Sequence, residues 1–340
     1  MSETFEQVVQ RVNAELATFL DAKREEARRV SPRAIELVDA VAELTMRGGK
    51  RLRPVALHAG YRSVCANGEA QCTSAASAAL ELLQTYFLIQ DDWMDSDEER
   101  RGGPAVHVVL TRACGDERLG ASLAILAGDL AAGYAFELLH RAPFPSARLQ
   151  EGLAAFSRMH TEVVFGQQLD LLEHDDVALM HHLKTGSYTV RGPLRLGALL
   201  GDASAAQLDA LDQLGQPLGV AFQLRDDLLG TFGDPQKTGK PAGHDLREGK
   251  NTVLVAEARR TLGAADKATL ENVLENVEAS TDEIAEVRDL LVRSGVRARV
   301  EAKLDALVAE ASQVLDRAPF EAEGAGMLRA LLQRFAQRDR

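Results

Sequence analysis

The chain has 340 residues, 46% of them hydrophobic and 26% charged, which is typical of a globular protein and excludes a disordered one. Its net charge of −12 argues against a nucleic acid or an anionic membrane surface as partner, although it allows a locally basic pocket. Three cysteines, Cys65, Cys72 and Cys114, form neither a disulfide framework nor a CxxC metal site. No secretory signal is visible in the first residues, so we expect a cytoplasmic location.

Apolar residues near the N-terminus recur at three- and four-residue steps, the pattern of one face of an amphipathic helix. They are Phe5, Val8, Val12, Leu16 and Phe19. Ala- and Leu-rich stretches predict further long helices over 74–94, 119–140 and 207–229. We therefore predict an all-α protein of ten or more helices. No linker marks a boundary, so residues 1–340 are expected to form a single domain.

A few features interrupt or qualify this helical pattern. The run Val106–Leu110 is the best candidate for a strand, because alternating β-branched residues are nearly absent elsewhere. Pro217 should kink its helix or divide it in two. Charged or Gly- and Pro-rich stretches predict loops over 96–104, 140–146 and 230–251. The most apolar window, 120–139, contains Asp129 and Glu137 and therefore predicts a buried core helix instead of a membrane span.

A basic turn stands out in this acidic chain, with the sequence Gly48-Gly49-Lys50-Arg51-Leu52-Arg53-Pro54. Three of its residues are cations, and Pro54 is compatible with the first turn of a helix. Cations beside a helix N-terminus form an anion site. A solvated basic turn is an equally good interpretation of this segment alone.

The first acidic cluster, Asp91-Asp92-Trp93-Met94-Asp95, ends an apolar helical run. Asp91 and Asp95 are four residues apart, so on a helix they share a face and repel each other. A hard cation such as Mg²⁺, which is usually held by one or two carboxylates and by substrate phosphates, would relieve that repulsion. A solvated acidic helix end is the alternative. Arg100 and Arg101 follow, however, and a site with both signs of charge suits a phosphate ester carried with its metal.

A second acidic cluster, Asp226-Asp227, also ends an apolar run. The loop after it is rich in glycine, lysine and aspartate, and includes Lys237, Gly239, Lys240, Gly243, Asp245, Gly249 and Lys250. Such a composition suits a lid over phosphates, because glycines allow close backbone approach and lysines bring mobile positive charge. A flexible, solvated loop is the other interpretation.

Taken in order, the motifs GGKRLRP, DDWMD, RRGGP, GQQLD, KT and FQLRDD, followed by GK, resemble those of the trans-isoprenyl diphosphate synthases. They extend from about Gly48 to Lys250, over more than half of the chain. The resemblance implies the isoprenoid synthase type I fold, a bundle of helices around a central cavity. It also implies a homodimer that joins isopentenyl diphosphate to an allylic diphosphate and has no nucleic-acid partner and no stable insertion into membranes.

The resemblance assigns the metal ligands and the groups around the allylic substrate. It implies that Asp91, Asp95 and Asp226 hold three Mg²⁺ ions on the allylic diphosphate, with Asp92 and Asp227 beside them as motif members. The cations that bind this diphosphate would be Arg100, Lys184 and Lys240. The dipoles facing the nascent carbocation would be Thr185 and Gln223.

The isopentenyl diphosphate site is implied in the same way at Lys50, Arg53, Gln84 and Arg101. Gln84 stands where many members of the family have His, and some short-chain members also carry Gln. The resemblance assigns supporting roles to Gln167 and Asp170.

One departure from the family pattern lies in the second acidic motif. It reads Asp226-Asp227-Leu228-Leu229-Gly230, with Gly230 where the pattern has a third aspartate. Some active relatives also lack this residue. Gly230 removes one carboxylate from the second motif, and this loss bears on how tightly the motif holds the metal ions.

The length of the product has a geometric determinant in this interpretation. Phe87 and Tyr86 lie four and five residues before Asp91, about one turn deeper along the helix. Bulky rings there would close the path of the growing chain. In the family, aromatic residues at both positions suggest a C15 product, farnesyl diphosphate, with C20 geranylgeranyl diphosphate as the competing product. The alternative is that both rings are core packing.

Two other functions are compatible with parts of the sequence. A class I terpene cyclase shares the helical architecture and a DDxxD motif, but it needs an NDxxSxxxE-like second site and does not need the basic turn. A non-catalytic partner subunit would have a decayed site, whereas both aspartate pairs and all the expected cations are present here. Both functions therefore rank below a synthase.

Overall fold

The computed structural model describes residues 3–172, 174, 176–234, 242–274, 276 and 278–336. Within these ranges every regular element is a helix, apart from one pair of two-residue strands. More than ten α-helices are present in the described residues, which confirms the predicted all-α class.

The α-helices are α1 (Phe5–Val30), α2 (Ile35–Met46), α3 (Leu52–Arg62), α4 (Ser74–Met94), α5 (Val106–Cys114), α6 (Glu117–His140), α7 (Ser146–Leu171), α8 (Val177–His181), α9 (Gly192–Leu200), α10 (Ala205–Phe232), α11 (His244–Arg247), α12 (Val253–Thr261), α13 (Ala264–Leu274), α14 (Thr281–Arg293), α15 (Val296–Arg317) and α16 (Ala322–Ala336). A π-helix, His182–Arg191, joins α8 to α9, and 3₁₀ turns occupy Pro32–Ala34 and Ala70–Thr73. Strands β1 (Glu99–Arg100) and β2 (Gly103–Pro104) pair antiparallel.

The helices fall into two compact units. The first unit comprises Met1–Thr161, Tyr188–Leu211 and Pro319–Leu328. The second unit comprises Glu162–Ser187, Asp212–Ala318 and Arg329–Arg340. The single domain that the sequence predicts stays a prediction.

The first unit is built around α4, which packs mainly against α6. Leu80, Leu82 and Ile89 of α4 are buried, as are all five N-terminal residues predicted for the apolar face of α1. Helices α3 and α9 approach so closely that side chains are excluded between them. A Cβ atom on Gly60 would lie only 2.1 Å from the carbonyl oxygen of Leu194. This contact fixes α3, and with it the basic turn that precedes α3.

The second unit has its own apolar core, formed where α10 and α12 to α15 meet. Buried leucine and valine side chains from all five helices contribute to it, among them Leu224, Leu254, Leu270, Val287 and Val296. Because α10 carries the second acidic motif, this core fixes the position of that motif.

Three local predictions were wrong or incomplete. Val106–Leu110 is not a strand but the start of α5, where Val106 and Leu110 are buried one turn apart and α5 packs against α6. Pro217 does not divide its helix, because α10 continues through it; a kink there stays a prediction. The predicted loop over 96–104 contains the β1–β2 hairpin.

Helix α6, predicted to be a buried core helix, is buried on one face only. Among the described residues, α6 is the one helix that is long enough and apolar enough to span a membrane, judged by length and composition alone. Of its most apolar window, 33% is buried inside the protein. Small residues such as Ala124, Ala127 and Ala131 face the interior. Leu119 and Leu126 are exposed on the other side, at 48% and 52%.

Candidate active site

The first acidic cluster lies at the C-terminal end of α4. Asp95 follows the helix directly, and its N–H donates to the carbonyl oxygen of Asp91 at 2.8 Å. The two side chains are therefore one helical turn apart on one face, as the spacing predicts. Asp95 is exposed and Asp91 half-buried, whereas Asp92 is fully buried.

Asp92 binds an arginine inside the protein. The Arg100 Nε donates to Asp92 Oδ1 at 2.6 Å, and an Arg100 terminal nitrogen donates to Asp97 Oδ2 at 2.7 Å. Burial raises the pKa of Asp92 to about 6, although the neighbouring Arg100 opposes this rise. Arg100 also lies 3.9 Å from an Asp91 carboxylate oxygen. Asp92 thus holds Arg100 next to the carboxylates that are predicted to bind metal.

The β1–β2 hairpin sets the position of Arg100 and Arg101. Its two turn residues, Arg101 and Gly102, have φ values of 54° and 72°, the left-handed backbone of a type I′ turn. Arg47 on the C-terminal side of α2 stabilises the hairpin by donating to the carbonyl oxygens of Arg100 at 3.0 Å and Pro104 at 2.8 Å. Sequence reasoning did not find Arg47, since no motif marks it.

The basic turn separates its three cations. Gly48 and Gly49 have φ values of 90° and 135°, and Arg51 has a φ of 46°. Lys50 is exposed. Arg51 turns inward and forms a buried ion pair with Glu81 of α4. Arg51 also donates to the carbonyl oxygen of Thr45 at 2.7 Å and to Asn13 Oδ1 at 3.2 Å.

Arg53, the third cation of the turn, lies over an aromatic ring. Its guanidinium carbon is 4.4 Å from the ring centroid of Tyr188, and it donates to Thr189 Oγ1 at 3.2 Å. Burial lowers the pKa of Arg101, and the nearby Arg51, Arg53 and Arg100 lower it further against the attraction of Glu81. The structure therefore brings these arginines close enough to repel one another, an arrangement that favours binding of an anion.

Gln84 is half-buried on α4. It shares a face with Asp91 and Asp95, because the steps from 84 to 88, 91 and 95 are four, three and four residues. The structure thus brings one predicted contact of isopentenyl diphosphate and two predicted metal ligands onto one side of one helix.

Tyr86 and Phe87 belong to an aromatic cluster within the first unit. Their rings are 5.0 Å apart, and both lie near the ring of His160, at 5.2 and 5.7 Å between centroids. Phe87 also meets Tyr188 edge to face at 5.1 Å. Tyr86 and Phe87 are half-buried, unlike Tyr188, which is fully buried. This geometry is compatible with rings that close the path of the growing chain and equally with rings that only pack in the core.

In the second unit, Lys184 and Thr185 lie in the π-helix, an irregular type of helix that is frequent at functional sites. Lys184 Nζ donates to Asp170 Oδ2 at 2.5 Å. Gly166 lets α7 approach, since a Cβ there would lie 2.3 Å from the backbone nitrogen of Lys184. The GQQLD motif therefore positions Lys184, and the supporting role implied for Asp170 stays a prediction. The Nε2 atom of Gln167 is buried without a hydrogen-bond partner.

The second acidic motif repeats the arrangement of the first. Asp227 is buried and accepts hydrogen bonds at 2.8 Å from Gln223 Nε2 and from the Val253 N–H. Burial raises the pKa of Asp227 to about 6. Asp226 is exposed. In each motif one carboxylate is thus fixed inside the protein while its neighbour is more accessible, half-buried at Asp91 and exposed at Asp226. Lys240, like residues 235–241 as a whole, lies outside the described residues.

Comparison with known proteins decides the family. A model of the polyprenyl synthetase family matches residues 35–291. The chain belongs to the polyprenyl synthetase family. This confirms the resemblance stated above, and the family is one of short-chain trans-prenyltransferases.

Two curated relatives illustrate the range of this family. A short chain isoprenyl diphosphate synthase of Methanocaldococcus jannaschii is 34% identical over 290 residues, or 84% of this chain and 81% of its own. A farnesyl diphosphate synthase of Geobacillus stearothermophilus is 34% identical over 256 residues, 69% of this chain and 82% of its own.

Among solved structures, a geranylgeranyl pyrophosphate synthase of Corynebacterium glutamicum, complexed with isoprenyl diphosphate and magnesium, superposes with a TM-score of 0.91. It is 33% identical, and the match covers 99% of this chain and 100% of that one. The predicted isoprenoid synthase fold is therefore confirmed.

The chemistry of the donor set fits Mg²⁺ as a metal carried in with a substrate. Among the described residues, no three His, Cys, Asp or Glu side chains converge into a metal site made by the protein alone. Asp91 and Asp95 nonetheless offer hard carboxylate oxygens one turn apart, beside the cation Arg100. Mg²⁺ is commonly held in this way, by one or two carboxylates together with water and substrate phosphates.

Proposed function

We propose that this member of the family condenses isopentenyl diphosphate with the allylic substrates dimethylallyl and geranyl diphosphate, and that it depends on Mg²⁺. The proposal is supported chiefly by the way α4 organises the two substrate sites. Its last turn carries Asp91 and Asp95, while Glu81, farther back, anchors the basic turn through Arg51. One rigid helix thus fixes the position of the acidic site relative to the basic turn.

The acidic motifs are proposed to bind the allylic diphosphate. Asp91, Asp95 and Asp226 would hold three Mg²⁺ ions, which when bound neutralise the negative charge that develops on the leaving group. Arg100 would contact the same diphosphate, because Asp92 and Asp97 hold its guanidinium beside Asp91. Lys184 and Lys240 would add positive charge.

The basic turn is proposed to bind isopentenyl diphosphate. Lys50, Arg53 and Arg101 would contact its diphosphate, and Gln84 would do so from α4. Arg53 is fixed for this role by stacking on Tyr188. The bound substrate would present its double bond to the allylic cation at short range. Thr185 and Gln223 would direct their dipoles to that cation, and the site must exclude water, which would otherwise capture it. The proton lost at the end would pass to the released pyrophosphate.

For the product we propose farnesyl diphosphate, because Tyr86 and Phe87 stand together one turn before Asp91 and pack against His160. Geranylgeranyl diphosphate is the second candidate. It is favoured by the 33% identical synthase of C. glutamicum, whose product has that length by name, and by similarly named relatives such as that of Sulfolobus acidocaldarius, 34% identical over 265 residues.

We further propose that the chain works as one polyprenyl synthetase domain in a cytoplasmic homodimer. The exposed apolar face of α6, with Leu119, Ile125 and Leu126, supports dimerisation, since a surface of this kind is usually covered by a partner.

The direct test is to incubate the purified protein with Mg²⁺, dimethylallyl diphosphate and isopentenyl diphosphate and to identify the products by chromatography and mass spectrometry. We expect a linear C15 diphosphate, and none when EDTA is present. A linear C20 diphosphate would select the second candidate. A cyclic hydrocarbon would indicate a terpene cyclase, and no product under any metal condition would indicate a non-catalytic subunit.

A further inference from the structure

We infer that Arg47 is a positioning residue for isopentenyl diphosphate, because it joins the basic turn and the β1–β2 hairpin into one structural unit. The inference rests on the proposed function, which assigns Lys50 and Arg53 of the turn and Arg101 of the hairpin to this substrate. Arg47 itself lies outside the motifs on which the family resemblance depends.

The side chain of Arg47 reaches from the turn to the hairpin. Arg47 directly follows α2 and directly precedes Gly48, the first residue of the basic turn. Its Nη1 atom donates to the carbonyl oxygens of Arg100 at 3.0 Å and Pro104 at 2.8 Å, one in each strand. A single nitrogen therefore ties both strands of the hairpin to the end of α2.

Gly103 leaves the space that the guanidinium of Arg47 occupies. A Cβ atom on Gly103 would lie 2.8 Å from Arg47 Cζ and 2.9 Å from Arg47 Nη1. Cβ atoms in proteins do not approach other heavy atoms so closely, so a methyl group at position 103 would displace the guanidinium from the two carbonyl oxygens. The side chain of Arg47 is only 14% exposed, and a cation with so little access to water needs these hydrogen bonds.

A second arginine makes the reverse contact, from the hairpin to the turn. The Nη1 atom of Arg101 donates to the carbonyl oxygen of Leu44, in the last turn of α2, at 3.3 Å. The same guanidinium lies beside Gly49 of the basic turn, where a Cβ atom would come within 3.4 Å of Arg101 Nη2. Since each element holds a side chain of the other, a shift of the hairpin relative to the turn would break both sets of contacts.

The two hairpin arginines should respond differently when Arg47 is lost. The side chain of Arg100 is held by Asp92 at 2.6 Å and by Asp97 at 2.7 Å, so its proposed place beside the allylic diphosphate does not depend on Arg47. Arg101 contacts the end of α2 and the turn, so its place depends on how the hairpin lies against them. Loss of Arg47 should therefore weaken binding of isopentenyl diphosphate and leave binding of the allylic diphosphate nearly intact.

The test compares Arg47→Gln, Gly103→Ala and the control Glu43→Gln with the wild type. Arg47→Gln removes the guanidinium, whereas Gly103→Ala keeps its charge and displaces it. Glu43 accepts from Arg47 Nη2 at 2.9 Å and is 57% exposed, so its replacement leaves the bonds to the hairpin in place. Steady-state kinetics give kcat and the KM values for isopentenyl diphosphate and dimethylallyl diphosphate. The melting temperature shows whether each variant folds.

We expect Arg47→Gln to raise the KM for isopentenyl diphosphate by about tenfold or more, as for the loss of a hydrogen bond from a charged donor, and the KM for dimethylallyl diphosphate by less than about threefold. Gly103→Ala should act in the same direction, and Glu43→Gln should change neither value.

An unchanged KM for isopentenyl diphosphate in folded Arg47→Gln, or equal rises in the two KM values, would overturn the inference while leaving the proposed function intact. Wild-type KM values in folded Gly103→Ala would also overturn it, because Arg47 would then act through its charge alone. A wild type that forms no condensation product would overturn the proposed function together with the inference.

Discussion

Arg51 and Glu81 form an ion pair that is almost completely buried, with side-chain exposures of 1% and 3%. The pair connects the residue before α3 to the middle of α4. Arg51 has a left-handed backbone, which directs its side chain inward while Lys50 before it stays exposed. The geometry of the basic turn therefore depends on a carboxylate that belongs to none of the recognised motifs.

Replacing Glu81 by Gln should misplace the basic turn. Removing one partner of a buried ion pair leaves an uncompensated charge, so we expect a loss of about 3–5 kcal/mol in the free energy of unfolding. We also expect the KM for isopentenyl diphosphate to rise more than the KM for the allylic substrate. Urea denaturation and steady-state kinetics measure both effects. The exposed pair Arg148–Asp202 provides a control, because Asp202→Asn should cost less than about 1 kcal/mol. Equal changes in the two KM values would argue against this positioning role.

Replacing Asp91 by Ala should lower turnover by orders of magnitude while preserving the fold, because Asp91 is half-buried and lies in the last turn of α4. Circular dichroism and a turnover assay at saturating Mg²⁺ measure the two properties. Glu98→Gln, at an exposed residue beside the hairpin, is the matched control and should stay fully active. Near-normal activity of folded Asp91→Ala would refute the assignment of this site.

The sequence was sufficient to predict the helical class, the first and fourth helices and the pairing of Asp91 with Asp95. Each of these depends on periodicity within one segment, which a helix converts directly into geometry. Prediction failed at Val106–Leu110, where packing of α5 against α6 outweighs the strand preference of β-branched residues.

Other features could not be predicted because they join distant segments. The anchoring of Arg51 by Glu81 and the support of the hairpin by Arg47 both require the tertiary fold. The resemblance separates Asp92 and Asp227 from the predicted metal ligands Asp91 and Asp226, but the sequence does not show that Asp92 and Asp227 are buried. In the structure, burial separates these two carboxylates from their more accessible neighbours.

Removing both aromatic rings before Asp91 should lengthen the product. In the double variant Tyr86→Ala/Phe87→Ala the growing chain would meet open space instead of the cluster around His160, so products of C20 and longer should replace C15. Mass spectrometry of the products measures this shift. Phe156→Leu, in the same unit but fully buried, is the control for loss of core packing. If the double variant is destabilised but retains the original product, the rings are core residues only.

Acidification should destabilise the protein partly through His58. This residue is fully buried, and burial together with Arg11 and Arg62 lowers its pKa to about 3 from the ordinary value of 6.5. The ring is thus neutral at pH 7, despite its contact of 2.9 Å with Glu3.

Since the unfolded chain takes up this proton first, stability is lost as the pH falls from 6.5 toward 3, by about 2 kcal/mol at pH 5. Denaturation at pH 7 and pH 5 should show a smaller loss for His58→Gln than for the wild type. The exposed His140→Gln should not differ from the wild type in this respect. An identical loss in all three proteins would contradict the prediction.

A charge on the exposed face of α6 should disrupt the proposed homodimer. Leu126 is 52% exposed in the single chain, so Leu126→Glu should leave the monomer folded and oppose burial of this face by a second copy. Analytical ultracentrifugation should show a dimer for the wild type and a monomer for the variant. Val292→Glu, at a similarly exposed residue of α14, should remain dimeric. A monomeric wild type would remove the proposed dimer altogether.

We propose that the two acidic motifs bind one metal–diphosphate group, and the decisive measurement is a crystal structure with Mg²⁺ and a non-ionisable thiolo analogue of dimethylallyl diphosphate. We predict that carboxylate oxygens of Asp91, Asp95 and Asp226 all lie about 2.0–2.1 Å from Mg²⁺ ions that also contact the diphosphate. A complex in which Asp226 contacts none of these ions would show that the two motifs do not bind the metal–diphosphate group together.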